Sequence, residues 1–424
     1  MSTFLAAMRD GRWLTRERIR LWALALLAAS VIGSTFLVVT SNGLNDYQGR
    51  PLGTDFSNVY AAGTYVLDGK AAAPFDWPAQ HAREQQIFGA KTPFYGWHYP
   101  PYFLFIAGLL ALMPYALALA LWQAATLALY VGAVWLILRS SAPKRCALKP
   151  RALEGPLWLL VALAFPAVFV NIGHGHNGFL TAALIGAALV MLDRRPIVAG
   201  LLFGLMAYKP QFGVMIPLVL AATGRWRAFL AAAVTVAALT LATVIAFGPE
   251  VWRAFFATAH LTRVEVLELG GTGWHKIQSV FSMVRMWGGG IPLAYVAQGS
   301  VTIAAAAALI WLWRSAAAYP LKAAALIVTS LLATPYSLDY DFVILAPAIA
   351  FLAAEGLSRG FRPWQTTALA CLWIMPLIAR SIAEQTLVPL GVPAMLLVLV
   401  LILLCAANET GASARWHSAA QPIK

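Results

Sequence analysis

The chain has 424 residues, 61% of them hydrophobic and only 11% charged, with a mean hydropathy of +0.73. A soluble protein of this length needs a far more polar surface, and the apolar runs lack the ten-residue alternation of a membrane β-barrel. The formal charge is +13, but the basic residues fall in short clusters between apolar runs, which is the pattern that orients membrane helices and not one that binds nucleic acid.

In chain order, residues 1–20 carry Arg9, Arg12, Arg16, Arg18 and Arg20 and are expected to form a cytoplasmic tail. The apolar run 21–40 is too long for the core of a cleaved signal peptide and reads as a retained first span. Residues 42–98 form one long polar stretch, expected to be the first exoplasmic loop. Apolar runs follow near 116–138, 157–170, 179–192, 197–208, 211–222, 227–247, 293–313, 321–335, 340–355, 364–380 and 392–407. With the first, they predict an all-α polytopic membrane protein, a single domain over 1–424 with about twelve transmembrane helices. Two apolar pieces, 102–113 and 280–288, are too short for a hydrocarbon core roughly 30 Å thick and are expected to be re-entrant or interfacial. Residues 408–424 form a second expected cytoplasmic tail. Cys146, Cys371 and Cys405 lie far apart and imply neither a metal site nor a disulfide framework.

With both tails inside, the connections at 139–151, 194–195, 225–227, 314–322 and 359–362 also fall inside. These segments then hold 20 of the 30 Lys and Arg, and the other side holds 11 of the 17 acidic residues. The remaining connections gather on the outer side six of the seven histidines, together with Asp55, Lys209, Gln278, Asp339 and Asp341. Polar groups near membrane depth are costly and usually functional.

Gly53-Thr54-Asp55-Phe56 opens the long loop. Asp55 is suited to take a proton from an acceptor hydroxyl, because an ordinary carboxylate is ionised at neutral pH. Thr54 or Asp55 also suits the N-cap of a helix over 56–67. In Asn171-Ile172-Gly173-His174-Gly175-His176-Asn177-Gly178 the glycines admit a close ligand and the imidazoles can donate to phosphate. A metal is less suited there, since no carboxylate or cysteine stands nearby in sequence. Lys209-Pro210, between two apolar runs, has no adjacent counter-charge, so a phosphate anion or the lipid headgroups would attract it. Tyr336, Tyr340 and Asp341 in Thr334-Pro335-Tyr336-Ser337-Leu338-Asp339-Tyr340-Asp341, and Gln278 in Trp274-His275-Lys276-Ile277-Gln278-Ser279, are candidates to bind sugar hydroxyls, or else close capped turns. His98 and Tyr99 end the first loop, whose aromatic rings suit either sugar stacking or an interfacial belt. No Walker loop, dinucleotide fingerprint or HExxH is present.

Asp55-Phe56, Tyr99-Pro100-Pro101, the 173–177 turn, Gly200 with Lys209-Pro210, and Thr334-Pro335-Tyr336-Ser337 together resemble the GT-C superfamily of integral-membrane glycosyltransferases. More narrowly they resemble glycosyltransferase family 87, the group of polyprenol-phosphate-mannose-dependent α-mannosyltransferases. The resemblance implies a GT-C-type fold, a polyprenyl-phosphate sugar donor with mannose as the default sugar, inversion at the anomeric carbon, and no required divalent cation or other cofactor. It places the general base on Asp55, phosphate contacts on Lys209, His174 and His176, and sugar or acceptor contacts on Asn177, His98, Tyr99, Gln278, Tyr336, Tyr340 and Asp341. The chain departs from the family pattern at Gly173-His174-Gly175-His176-Asn177, where Gly-Gln-x-Asn is frequent, and at Tyr340-Asp341, where actinobacterial members carry a histidine pair. The implied partners are the donor, a glycolipid or glycan acceptor and membrane lipids. The implied setting is a bacterial cytoplasmic membrane with the active site on its outer face. The alternatives are a transporter or flippase, which internal repeats and mid-helix ionisable groups would favour, and a non-catalytic subunit of envelope glycan assembly.

Overall fold

The structure is a computed structural model that describes residues 3–140 and 155–419, the last ten by backbone alone. Lys144, Arg145, Lys149 and Arg151 of the basic 139–151 connection, Cys146, and the end of the expected C-terminal tail lie outside the described residues. Nineteen α-helices occur among the described residues. They are α1 Thr3–Asp10, α2 Arg16–Val39, α3 Thr54–Leu67, α4 Trp77–Phe88, α5 Phe103–Ala111, α6 Tyr115–Ser140, α7 Leu157–Leu163, α8 Pro166–His174, α9 Gly178–Met191 and α10 Pro196–Leu205. There follow α11 Met215–Ala222, α12 Trp226–Phe247, α13 Glu250–Thr262, α14 Val280–Met286, α15 Ile291–Arg314, α16 Tyr319–Leu332, α17 Leu345–Arg359, α18 Gln365–Thr386 and α19 Gly391–Ala419. Isolated bridges are the only β-pairing described, among them Ile277 with Leu338.

The chain is a polytopic membrane protein. Seven helical stretches are long and apolar enough to cross a bilayer: Arg16–Val39, Tyr115–Ser140, Trp226–Phe247, Ile291–Arg314, Asp339–Arg359, Gln365–Thr386 and Gly391–Glu409. The α7–α8 pair, bent by 47°, makes an eighth if counted as one span. The other four expected spans are shorter apolar helical stretches, Gly178–Met191, Pro196–Tyr208, Pro210–Ala222 and Tyr319–Leu332. The twelve expected segments therefore all coincide with helical stretches, while the count long enough to span is seven or eight. α2 shows what solvates them: it is apolar all round, yet its one buried residue is Ala23. Leu21, Trp22, Val31, Ile32 and Phe36 stand exposed, which lipid tolerates and water does not. α5 and α14 have nine and seven residues, about 14 and 11 Å of rise, well short of a hydrocarbon core.

Proline sets many of the boundaries. Pro166, Pro196, Pro292 and Pro320 stand in the first turns of α8, α10, α15 and α16, where the missing N–H costs nothing. Pro166 also explains the bend, because the expected span over 157–170 breaks before it and resumes as α8. That helix runs on to His174, so half of the turn expected over 171–178 is helical. Close approach comes from small residues. A Cβ on Gly200 of α10 would lie 2.3 Å from the Ala228 carbonyl oxygen of α12, and one on Gly63 of α3 would lie 2.0 Å from that of Ala107 in α5.

Candidate active site

Asp55 lies in the first turn of α3. The cap reading is corrected: Gly53, at φ 69°, is the N-cap, and neither Thr54 nor Asp55 caps the helix. Thr54 Oγ1 instead bonds His174 Nδ1 at 2.7 Å. That nitrogen also stands 3.8 Å from Asp55 Oδ1, so the fold supplies the carboxylate that the histidine turn lacks in sequence. Two features permit the approach. Gly175 is left-handed at φ 60°, and a Cβ there would lie 2.7 Å from Phe56 Cβ, against the start of α3. From α6, Trp122 Nε1 donates to the Gly175 carbonyl at 3.2 Å and Gln123 Nε2 to that of Ile172 at 3.1 Å.

The Asp55 side chain is 20% exposed and accepts no hydrogen bond from a described residue. Burial raises its pKa above the ordinary value, while His174 and then Lys209 pull it back down. The ring of Tyr340 links the next residues: its centroid is 5.6 Å from that of His174, 3.7 Å from that of His176 and 5.6 Å from Lys209 Nζ. Lys209 Nζ lies 3.4 Å from His176 Nε2 and donates to Asp341 Oδ1 at 2.7 Å. The Lys209 and Asp341 side chains are only 5% and 1% exposed. Asp55, His174, Tyr340, His176, Lys209 and Asp341 thus form one contiguous cluster. Among the described residues no group of three or more His, Cys, Asp or Glu is arranged to hold a metal ion.

Several expected roles change. Lys209 is not short of a counter-charge, because its ammonium is paired with Asp341. Asp341 is correspondingly engaged at both oxygens, the second accepting from the Leu338 N–H at 3.0 Å. Gln278 is a brace: its Nε2 donates to the His275 carbonyl at 3.0 Å and its Oε1 accepts from the Gly391 N–H at 3.1 Å. One N–H of its amide and its oxygen are thereby engaged. His98 turns its Nδ1 to Thr262 Oγ1 at 3.0 Å and its ring edge-on to Trp77; burial lowers its pKa to about 4, so it is neutral at physiological pH.

Other expected residues face the cluster. The Tyr99 ring packs on Trp97 and Phe103, and its phenol is raised by burial and then by Asp55 and Asp341. Burial raises the Tyr336 phenol as well, helped by the same two carboxylates. Asn177 is 2% exposed, and both ends of its amide lack a hydrogen-bond partner, as does His176 Nδ1. Buried polar groups are nearly always satisfied, so these atoms are open to a water or a polar ligand.

The sequence reading assigned no role to Asp339 or Lys276 and missed Arg380, which form a second set of charges beside the cluster. Arg380 of α18 stands 3.7 Å from Asp339. Burial and then Arg380 lower the pKa of Lys276, while Asp339 and Asp55 raise it. The only sequence signal for Arg380 is a lone cation in the last turns of an apolar run. The first loop is fixed separately. Gln80 Nε2 donates to the Asn58 carbonyl at 3.0 Å, and Glu84 accepts from the Tyr95 N–H at 3.1 Å. Burial raises Glu84 to about 7.

These features define a multi-pass membrane protein with one buried polar cluster built from helix ends. The model of glycosyltransferase family 87 matches residues 97–335, more than half of the chain. The chain belongs to that family and is a membrane glycosyltransferase. The match takes in His174, His176, Asn177 and Lys209; Asp55 lies before it, and Tyr336, Tyr340 and Asp341 lie just after it. No curated protein and no solved structure matches the chain.

Proposed function

We propose that the protein moves a sugar, by default mannose, from a polyprenyl-phosphate donor to a hydroxyl of a lipid or glycan acceptor on the outer face of a bacterial cytoplasmic membrane, with Asp55 as general base. The observation that carries this reading is the state of Asp55: its carboxylate neither caps α3 nor accepts a hydrogen bond from a described residue, and it lies 3.8 Å from His174. A base needs free lone pairs, and Asp55 has them.

In this reaction the acceptor oxygen gives its proton to Asp55 and bonds to the anomeric carbon from the face opposite the donor phosphate. The bond from that carbon to the phosphate oxygen breaks, and polyprenyl phosphate leaves with the electron pair. Inversion follows from the single in-line displacement. A phosphate monoester is a good enough leaving group to need no general acid. His174, His176 and Lys209 lie against the leaving phosphate, the kind of electrostatic support that dominates much transfer chemistry. Lys209 is already paired with Asp341, so Lys276 and Arg380 supply further positive charge. Asn177, Tyr99, Tyr336 and Tyr340 contact the sugar or the acceptor; the unpartnered Asn177 amide supports its role most directly.

The test is transfer by the purified protein from a panel of labelled polyprenyl-phosphate sugars. Asp55→Asn should slow transfer by about 10²–10⁴-fold, the usual contribution of a positioned base, with thermal unfolding unchanged. Wild-type activity in a well-folded Asp55→Asn protein rules out the mechanism, and no transfer from any member of the panel rules out the donor class.

A further inference from the structure

His174 Nδ1 stands between two oxygens. Thr54 Oγ1 lies 2.7 Å from it and Asp55 Oδ1 lies 3.8 Å from it. The first contact is a hydrogen bond and the second is outside hydrogen-bond reach. This choice runs against bond strength, because a hydrogen bond to a carboxylate is roughly twice as strong as one between neutral groups. A swing of the ring by about 1 Å would bring Nδ1 within bonding distance of Asp55.

The fold resists that swing. Thr54 stands in the first turn of α3, where Gly53 is the N-cap, and its hydroxyl is not spent on capping. The start of the helix is held on both sides: Tyr115 donates its phenol O–H to the Leu52 carbonyl at 2.5 Å, and Ser57 Oγ donates to the Thr54 carbonyl at 2.7 Å. Opposite, His174 is the last residue of α8, and Trp122 and Gln123 of α6 hold the turn around it. Two fixed helix ends therefore present the hydroxyl, and not the carboxylate, to the imidazole.

The two arrangements differ in chemistry. A bond from Nδ1–H to Asp55 would occupy a lone pair of the base and stabilise its ionised form, which weakens it as a base. A bond from the Thr54 hydroxyl to Nδ1 leaves both carboxylate oxygens open. It also puts the proton of the neutral imidazole on Nε2. The His174 side chain is 30% exposed, and its Nε2 makes no hydrogen bond with a described residue.

We infer that Thr54 is a positioning residue for the reaction: its hydroxyl donates to His174 Nδ1, which keeps the imidazole off Asp55 and leaves Nε2–H for the departing phosphate. The inference rests on Asp55 as general base and names the group that keeps that base free. Burial raises the Asp55 pKa, His174 and Lys209 lower it, and Asp339 and Asp341 raise it. Lys276 faces Asp55 as well, as do the phenols of Tyr95, Tyr99, Tyr336 and Tyr340. Of all these groups only His174 is bonded to Thr54, so a shift on removing the hydroxyl reports His174.

The test is the pH dependence of kcat/KM for the purified full-length protein, with the labelled polyprenyl-phosphate sugar that it transfers fastest. In Thr54→Val the imidazole closes on Asp55 and holds it ionised to lower pH. The acid limb should move down by about one pH unit, and kcat should fall about threefold to tenfold. Thr54→Ser keeps the hydroxyl and should behave as the wild-type protein does. On a His174→Ala background, Thr54→Val should move the limb no further. Should Thr54→Val fail to fold, Thr54→Ala reads the same shift. An unmoved limb in the protein without the hydroxyl, or an equal shift with and without His174, overturns the inference and leaves Asp55 as the base. An Asp55→Asn protein as active as wild type, or no transfer from any donor, removes the base itself and this inference with it.

Discussion

Lys209 and Asp341 meet at 2.7 Å with almost no solvent contact, so removing one partner leaves the other charge stranded. Lys209→Met should therefore cost about 3–5 kcal/mol of stability, and the double variant Lys209→Met/Asp341→Leu should recover most of it. Thermal unfolding of the two proteins in detergent checks this, and equal losses in both would mean that the pair is not a closed unit. Asp55 makes a different demand, on pH. Only its ionised form can take a proton, and burial raises its pKa, so activity is full above the raised value and lost as pH falls through it. The acid limb of kcat/KM should lie above pH ~4, where an unperturbed carboxylate titrates. His174→Gln removes the neighbour that pulls the value down and should move the limb further up. An acid limb at pH ~4 or below in the wild-type protein would contradict this environment. His174, His176 and Lys209 were legible as candidates because each breaks an apolar pattern, and Asp55 because it stands near the start of the long polar loop. The bond between Lys209 and Asp341 was not, since nothing local distinguishes a lysine with a distant partner from one without.

At the scale of elements, hydrophobic run length and proline placement gave the helices, and the differences fall at their boundaries. The break before Pro166 split one expected span into α7 and α8, and helix continued through Asn171 to His174. Glycine roles were also hidden, because a helical glycine looks the same whether it faces lipid or another backbone. Gly200 faces Ala228 at contact, and Gly132 in α6 has nothing within 4 Å of its would-be Cβ. Gly200→Ala should destabilise by about 1–3 kcal/mol through overpacking. Gly132→Ala should be neutral or stabilise slightly, because alanine favours the helix. A Tm series comparing the two variants checks the pairing of α10 with α12.

On the scale of the whole molecule, the Asp55 cluster is built from helix ends, beside stretches such as Tyr115–Ser140 and Asp339–Arg359 that are long and apolar enough to cross a bilayer. The charge pattern predicts that the Asp55 end lies outside, and we propose that orientation. In a protein whose three cysteines are replaced, Gln48→Cys should react with an impermeant maleimide from the outer side of sealed vesicles of known orientation. Ser358→Cys should react only after permeabilisation. Labelling of both from one side would refute the proposed orientation. What the sequence by itself determined was the membrane nature of the chain, its twelve apolar segments and the polar residues that punctuate them. Run length and composition are local properties, and lipid solvates an apolar helix without any partner. The tertiary structure alone decided which punctuating residues meet. Thr54 with His174 and Lys209 with Asp341 lie 120 and 132 residues apart, and such meetings depend on how closely helices approach at Gly175, Gly200 and Gly63, where a single Cβ would hold them apart.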